Sequence, residues 1–153
     1  MKKLFVALYC FVCNIYYICE RSLPKGLAVA EKNRILLVDD EPDVVYLVKR
    51  GLERNGFEVD GYTDPLLALR DFKGGVYSLL LLDIKMPKID GIELFNIINK
   101  EDDYVKVCFF SASDFLSSSL KNNFHNSPPD KFLFISKPIS IIEMTKQIKQ
   151  FFN

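Results

Sequence analysis

Two short apolar runs, Arg34-Ile-Leu-Leu-Val-Asp-Asp40 and Leu79-Leu-Leu-Leu-Asp83, decide the fold of this chain. Each run is shorter than an ordinary helix and stays apolar until its terminal aspartate, which is typical of a strand buried on both faces. Such strands occur in parallel sheets that carry helices on both sides. The two runs therefore predict the centre of an α/β protein.

The rest of the body alternates between helical and strand periodicity. Apolar residues at helical spacing follow Pro42, and Gly56 predicts the end of that helix. Further strands are predicted at 57–62, 105–111 and 132–136, and further helices at 65–72, after Asp90, around 115–120 and from 141 to 152. Five strand–helix units in succession predict a doubly wound, five-stranded parallel sheet with helices on both faces.

Composition predicts one globular domain over residues 33–153. Of the 153 residues, 49% are hydrophobic and 26% are charged, which excludes a disordered chain and a multi-span membrane protein. The formal net charge is zero, so the chain as a whole has no basic footprint for nucleic acid. Cys108 is the only cysteine of this body, which therefore cannot form an internal disulfide and suits a reducing compartment.

The first 32 residues differ from the body. Residues 4–19 follow two lysines and contain one strongly polar residue, Asn14. As a helix this run would span about 24 Å, short of the roughly 30 Å hydrocarbon core of a bilayer. Residues 1–32 are interpreted as a hydrophobic N-terminal segment and linker, with three hypotheses left open: a secretion signal, a membrane anchor, or a mis-started extension that the working protein lacks.

Polar residues end four of the predicted strands. Asp39 and Asp40 end the first strand, Asp83 the third, Ser111 the fourth, and Lys137 follows the fifth. Each residue alone has an ordinary structural interpretation, as a helix cap, a loop hydroxyl or a surface charge. Because ligands of doubly wound sheets bind at the carboxyl ends of the strands, five such residues together predict one shared site.

The residue types at this site indicate phosphoryl chemistry. Three carboxylates held together repel unless a cation is present, and Mg²⁺ prefers such oxygen ligands. A carboxylate can accept a phosphoryl group as an acyl phosphate. The phosphoryl oxygens then need neutralising donors, which Lys137 and Ser111 supply.

Five motifs carry a resemblance to a known family. They are Ile35-Leu-Leu-Val-Asp-Asp-Glu-Pro42, Leu81-Leu-Asp-Ile-Lys-Met-Pro87, Asp90-Gly91, Ser111-Ala112 and Lys137-Pro138. In this order and spacing, over about residues 33–153, they resemble the response regulator receiver domain of prokaryotic two-component signalling. The resemblance implies a flavodoxin-like fold with strand order 2-1-3-4-5.

The resemblance also implies roles for the acidic residues. Asp83 corresponds to the phosphoacceptor, which becomes 4-aspartylphosphate. Asp40 corresponds to a direct Mg²⁺ ligand, and Asp39 to a ligand that acts directly or through water. The backbone carbonyl of Lys85 is implied as the third protein ligand.

Three further residues match the switch positions of the family. Ser111 corresponds to the switch hydroxyl, where threonine is commoner, and Lys137 pairs with the phosphoryl group or with Asp83. Phe134 falls at the switch aromatic, which is often tyrosine. The Lys137–Pro138 peptide bond is expected to be cis. The segment 122–130 is longer than usual in the family.

The sequence thus predicts a stand-alone, cytoplasmic switch rather than an enzyme. A histidine kinase or phosphotransfer protein would phosphorylate it in a phosphorelay, and a downstream effector protein would bind the face of the fourth helix, fifth strand and fifth helix. Direct nucleic acid binding is not expected, and membrane contact is limited to residues 4–19. Two alternatives remain: a receiver-like adaptor that works without phosphorylation, and a Mg²⁺-dependent aspartyl-phosphate phosphatase. The second is disfavoured because Lys85 stands where haloacid dehalogenase-type phosphatases place an acid.

Overall fold

The computed structural model describes residues 33–112, 128 and 130–152. The N-terminal segment and the helix predicted around 115–120 lie outside these residues, as does most of segment 122–130. The strands are β1 (Arg34–Val38), β2 (Glu58–Tyr62), β3 (Leu79–Leu82), β4 (Lys106–Ala112) and β5 (Phe132–Lys137). The described helices are α1 (Pro42–Glu53), α2 (Pro65–Asp71), α3 (Gly91–Glu101) and α4 (Ile141–Phe152).

The five strands form one parallel sheet in the order β2-β1-β3-β4-β5, which confirms the predicted fold and strand order. Val38 of β1 pairs with Leu82 of β3, so the residues that follow them leave the sheet at the same level. The Asp83 N–H donates to the Val38 carbonyl at 2.9 Å. This register places Asp39 and Asp83 side by side.

Alternate strand residues enter two separate hydrophobic cores, one on each face of the sheet. Leu36 and Leu80 point into the core that α2 and α3 cover. Ile35, Leu79 and Leu81 point into the core that α1 and α4 cover. The central strands are therefore buried on both faces, as their continuous apolar sequence predicts.

Three of the described helices begin with a side-chain cap. Asp64, Asp90 and Ser140 each accept a hydrogen bond from a backbone N–H in the first turn of their helix, at 3.0, 2.7 and 3.2 Å. Gly56 ends α1 with a φ of +91°, in the left-handed region that glycine tolerates. Strand boundaries differ from the predicted ones by one residue. β4 and β5 each end one residue later, which makes Lys137 the last residue of β5.

The helices of the described ranges are all too short or too polar to cross a bilayer.

Candidate functional site

At the carboxyl ends of β1, β3 and β5, the Lys137 ammonium lies between the buried carboxylates of Asp39 and Asp83. The Lys137 Nζ lies 2.6 Å from Asp39 Oδ2 and 3.5 Å from Asp83 Oδ1. Asp39 is fully buried, and Asp83 is 6% exposed. The Lys137–Pro138 bond that follows is cis, which confirms the expectation from the sequence.

Lys137 is held as a protonated, poorly hydrated cation. Burial lowers its pKa, but the hydrogen bond with Asp39 and the charges of Asp39, Asp83 and Glu41 outweigh burial, so the pKa lies above its ordinary value. The Glu41 carboxylate is 3.8 Å from the ammonium. Sequence reasoning did not assign Glu41 to the site. The resemblance pairs Lys137 with the phosphoryl group or with Asp83, and the ammonium does lie 3.5 Å from Asp83, although its shorter contact is with Asp39.

Asp83 is enclosed by donors but lacks full hydration. Burial raises its pKa and outweighs the Lys137 ammonium, the hydrogen bond from the Ser111 hydroxyl and the hydrogen bond from the Ile84 N–H. The nearby Asp39 carboxylate raises the pKa further. A cation bound beside Asp83 would favour its ionised form and oppose this rise in pKa.

The carboxylates of Asp39, Asp40 and Asp83 fit a hard divalent cation. Their ligand oxygens lie within 4.8 Å of one another. Asp39 and Asp83 are buried, while Asp40 is exposed, so a cation bound here would keep water on the solvent side. Oxygen ligands with retained water are the coordination that Mg²⁺ favours. Lys85, whose backbone carbonyl is the further expected ligand, lies two residues beyond Asp83 in the loop between β3 and α3, and its side chain is exposed.

The β3–α3 loop, residues 83–90, packs tightly on the start of α3. The Gly91 N–H donates to the Ile84 carbonyl at 3.0 Å. A Cβ at position 91 would lie 2.1 Å from the Asp83 carbonyl oxygen, which explains why glycine follows Asp90.

The two predicted switch residues on β4 and β5 face different surroundings. Ser111 is 2% exposed and contacts Asp83 through its hydroxyl. Phe134 is half-buried and stacks on Phe109, with ring centroids 5.7 Å apart and an interplanar angle of 29°. Ser111 thus lies at the carboxylate cluster, and Phe134 lies beside an aromatic of the α2–α3 core.

The family model of the response regulator receiver domain matches residues 35–149. The chain belongs to the response regulator receiver family. Receiver domains accept phosphoryl groups in two-component systems and act as switches rather than as enzymes in the usual sense. The match covers every residue of the carboxylate cluster.

Relatives of known sequence or structure agree with this membership. The transcriptional regulatory protein PrrA of Mycobacterium tuberculosis is 32% identical over 116 residues, which are 76% of this chain and 48% of PrrA. The chain thus spans about half the length of the curated relatives it matches first. The response regulator TrrA of Thermotoga maritima, solved in complex with Mg²⁺ and BeF, is 31% identical with a TM-score of 0.65, over 78% of this chain and 98% of that one.

A second solved structure supports the fold alone. The non-phosphorylated HemR receiver domain of Leptospira biflexa is 21% identical, with a TM-score of 0.70 over 79% of this chain and 94% of that chain. It has the parallel-sheet architecture of a receiver domain.

Proposed function

We propose that this receiver domain accepts a phosphoryl group on Asp83 from a histidine kinase or a phosphotransfer protein in a phosphorelay. The observation that carries the proposal is the position of Asp83, buried beside the Lys137 ammonium at 3.5 Å and grouped with Asp39 and Asp40. A nucleophilic carboxylate, a fixed cation and a pair of further acids are the parts that phosphoryl transfer to aspartate needs.

In the proposed reaction, an oxygen of the Asp83 carboxylate attacks phosphorus in line with the leaving group. The new O–P bond forms an acyl phosphate as the P–N bond of the phosphohistidine donor breaks, and its electron pair returns to the imidazole. Lys137 neutralises charge on the phosphoryl oxygens, and the Ser111 hydroxyl donates a hydrogen bond to one of them. Mg²⁺, when bound, supplies Lewis-acid neutralisation of the same oxygens.

Residues of two segments, those that follow β1 and β3, would hold that ion. Asp40 supplies a direct ligand, Asp39 a direct or water-bridged one, and Asp83 the acceptor carboxylate itself. The backbone carbonyl of Lys85 is proposed as the remaining protein ligand. Support comes from the chemistry of the donors, because the three clustered side chains are all carboxylates and one of them is open to solvent.

Phosphorylation is proposed to act on a partner through Ser111 and Phe134. The hydroxyl of Ser111 moves towards the added oxygens, because charge-assisted hydrogen bonds are stronger than neutral ones. Phe134 then turns further inward and changes the face of β5 and α4, which a downstream effector protein reads. The predicted helix around 115–120 would belong to the same face and lies outside the described residues.

The protein is proposed to act as a stand-alone switch without direct nucleic acid binding. The relatives named transcriptional regulatory proteins are about twice as long as the stretch they share with this chain. A cytoplasmic location is proposed because the phosphoryl donors are intracellular. The adaptor that works without phosphorylation is the main alternative. The retained carboxylates and Lys137 favour the phosphorylated switch over it.

The test is labelling of the full chain by acetyl phosphate, with Mg²⁺ or with EDTA. The wild type should take up one phosphoryl group per chain with Mg²⁺ and almost none with EDTA. Asp83→Asn should not label. Asp103→Asn, which changes an exposed carboxylate before β4, should label normally. A wild-type protein that never labels while its spectra show a folded chain would favour the adaptor.

A further inference from the structure

An ion pair joins the β3–α3 loop to the neighbouring β2–α2 loop. The Lys88 ammonium donates to Asp64 Oδ2, while Asp64 Oδ1 accepts the Leu66 N–H at 3.0 Å and caps α2. One carboxylate thereby connects the loop beside the phosphoacceptor to the first turn of a helix.

Lys88 has an unfavourable backbone conformation. Its φ is +74°, and the Ile89 N–H donates across it to the Pro87 carbonyl at 3.0 Å. This arrangement is a γ-turn with a positive φ at its central residue, the rarer and more strained form of the turn. A non-glycine residue keeps such a conformation where its surroundings hold it there. The contact with Asp64 is one such restraint, and glycine at this position could not make it.

The proposed metal ligand of the loop lies between two anchors. At one end, the Ile84 carbonyl accepts the Gly91 N–H at 3.0 Å. At the other end, Lys88 contacts Asp64. Lys85 is next to the first anchor and three residues before the second, so the direction of its carbonyl depends on both.

We propose that the Lys88–Asp64 ion pair positions the β3–α3 loop for Mg²⁺ binding without ligating the ion. This inference rests on the proposed function, because it assumes that Mg²⁺ binds at Asp39, Asp40 and Asp83. If the loop leaves the competent conformation for part of the time, the apparent Kd for Mg²⁺ rises as the reciprocal of the competent fraction. The pair is partly exposed, with side chains 52% and 28% accessible, so the expected rise is roughly two- to five-fold.

Whether Mg²⁺ binding becomes weaker or tighter distinguishes positioning by the ion pair from a long-range effect of the two charges. Lys88 is a cation near a site for a divalent cation, so loss of its charge alone should tighten Mg²⁺ binding. Loss of the Asp64 charge alone should weaken it. Positioning by the ion pair predicts weaker binding in both cases.

The experiment is a calorimetric Mg²⁺ titration of the full chain. The variants are Lys88→Met, Asp64→Ser, which keeps a residue able to cap α2, and the double variant. Lys146→Met is the matched control, because it removes the same charge from an exposed ion pair with Glu143 on α4.

Each single variant should raise the Kd two- to five-fold, and the double variant should raise it no further, because both substitutions break one contact. Lys146→Met should leave the Kd unchanged. The difference between Lys88→Met and wild type should shrink at high salt, which screens a partly exposed pair. If the ion pair only stabilised the fold, its loss would lower the melting temperature equally with and without Mg²⁺ and would leave the Kd for Mg²⁺ unaltered.

Unchanged or tighter Mg²⁺ binding by Lys88→Met, or additive effects in the double variant, would overturn the positioning role. If Lys88→Met does not fold, Lys88→Gly replaces it, since glycine adopts the positive φ without strain and still lacks the ammonium. Asp40→Asn is titrated alongside. If it binds Mg²⁺ as the wild type does, the proposed site and the positioning role both fail. If only Asp40→Asn is impaired, the positioning role alone fails.

Discussion

Replacing Gly91 by alanine should displace the loop that carries the phosphoacceptor. The added Cβ would lie 2.1 Å from the Asp83 carbonyl oxygen and 3.2 Å from the Ile84 Cα. Both are main-chain atoms, so no side-chain rotation relieves the overlap. The carbonyl oxygen must retreat by about 1.3 Å to reach 3.4 Å, where ordinary contact begins. The same movement strains the 3.0 Å hydrogen bond between Gly91 and Ile84.

The substitution changes the free energy of unfolding through two losses and one gain. Overpacking costs about 1–3 kcal/mol, and a weakened backbone hydrogen bond costs about 0.5–1.5 kcal/mol. Alanine recovers up to about 1 kcal/mol through its higher helix propensity. We therefore expect the free energy of unfolding to fall by roughly 0.5–4.5 kcal/mol. Phosphorylation should also slow, because Asp83 and Lys85 move with the loop.

Urea unfolding in the presence of EDTA measures this difference without a contribution from bound metal. Gly74→Ala is the control, since the nearest atoms to its added Cβ lie 3.7 Å away, at ordinary contact distance. That variant should be neutral or stabilised by up to about 1 kcal/mol. Equal stabilities of Gly91→Ala and Gly74→Ala would refute the close approach between α3 and the loop.

Three further predictions concern the metal, the switch and pH. Asp40→Ala should weaken Mg²⁺ binding in a titration much more than Ser111→Ala does, because only the carboxylate is an anionic ligand; equal affinities would contradict this. With Mg²⁺ and beryllium fluoride, NMR spectra should show the Phe134 ring and its neighbours on β5 shifting as the ring buries more area, an effect worth up to about 1.5–3 kcal/mol; unchanged shifts at saturation would exclude it. Burial and the hydrogen bond to Asp60 raise the pKa of Tyr77 above its ordinary value of 10.0, so its contribution to stability is fully present below pH 10 and is lost as pH rises through the folded-state pKa. In urea unfolding at pH 7, Tyr77→Phe should lower the free energy of unfolding by about 1 kcal/mol. A difference from wild type that stays constant up to strongly alkaline pH would contradict the raised pKa of Tyr77.

The strand-end residues could be predicted because a strand buried on both faces stays apolar until it leaves the sheet. Asp39 and Asp83 are the first polar residues after β1 and β3, and the parallel register alone brings them side by side. Their roles as ligand and acceptor came from resemblance rather than from spacing.

Contacts between loops could not be predicted in the same way. Asp64 and Lys88 are 24 residues apart, and each alone has an ordinary interpretation, Asp64 as a helix cap and Lys88 as an exposed loop residue. Whether the Lys137 ammonium lies nearer to Asp39 or to Asp83 depends on the rotamer of a long side chain, which no spacing in the sequence encodes. In the structure the fully buried Asp39 is the nearer partner, at 2.6 Å.

The central claim is that Asp83 is the residue that accepts the phosphoryl group. The most direct measurement is reduction of the phosphorylated full chain with borohydride, which converts an acyl phosphate of aspartate to homoserine, followed by peptide mass mapping. The account predicts homoserine at position 83 only, dependent on Mg²⁺ and on the phosphoryl donor. Homoserine at Asp39 or Asp40 instead, or an unmodified position 83 in a chain that carries phosphate, would contradict it.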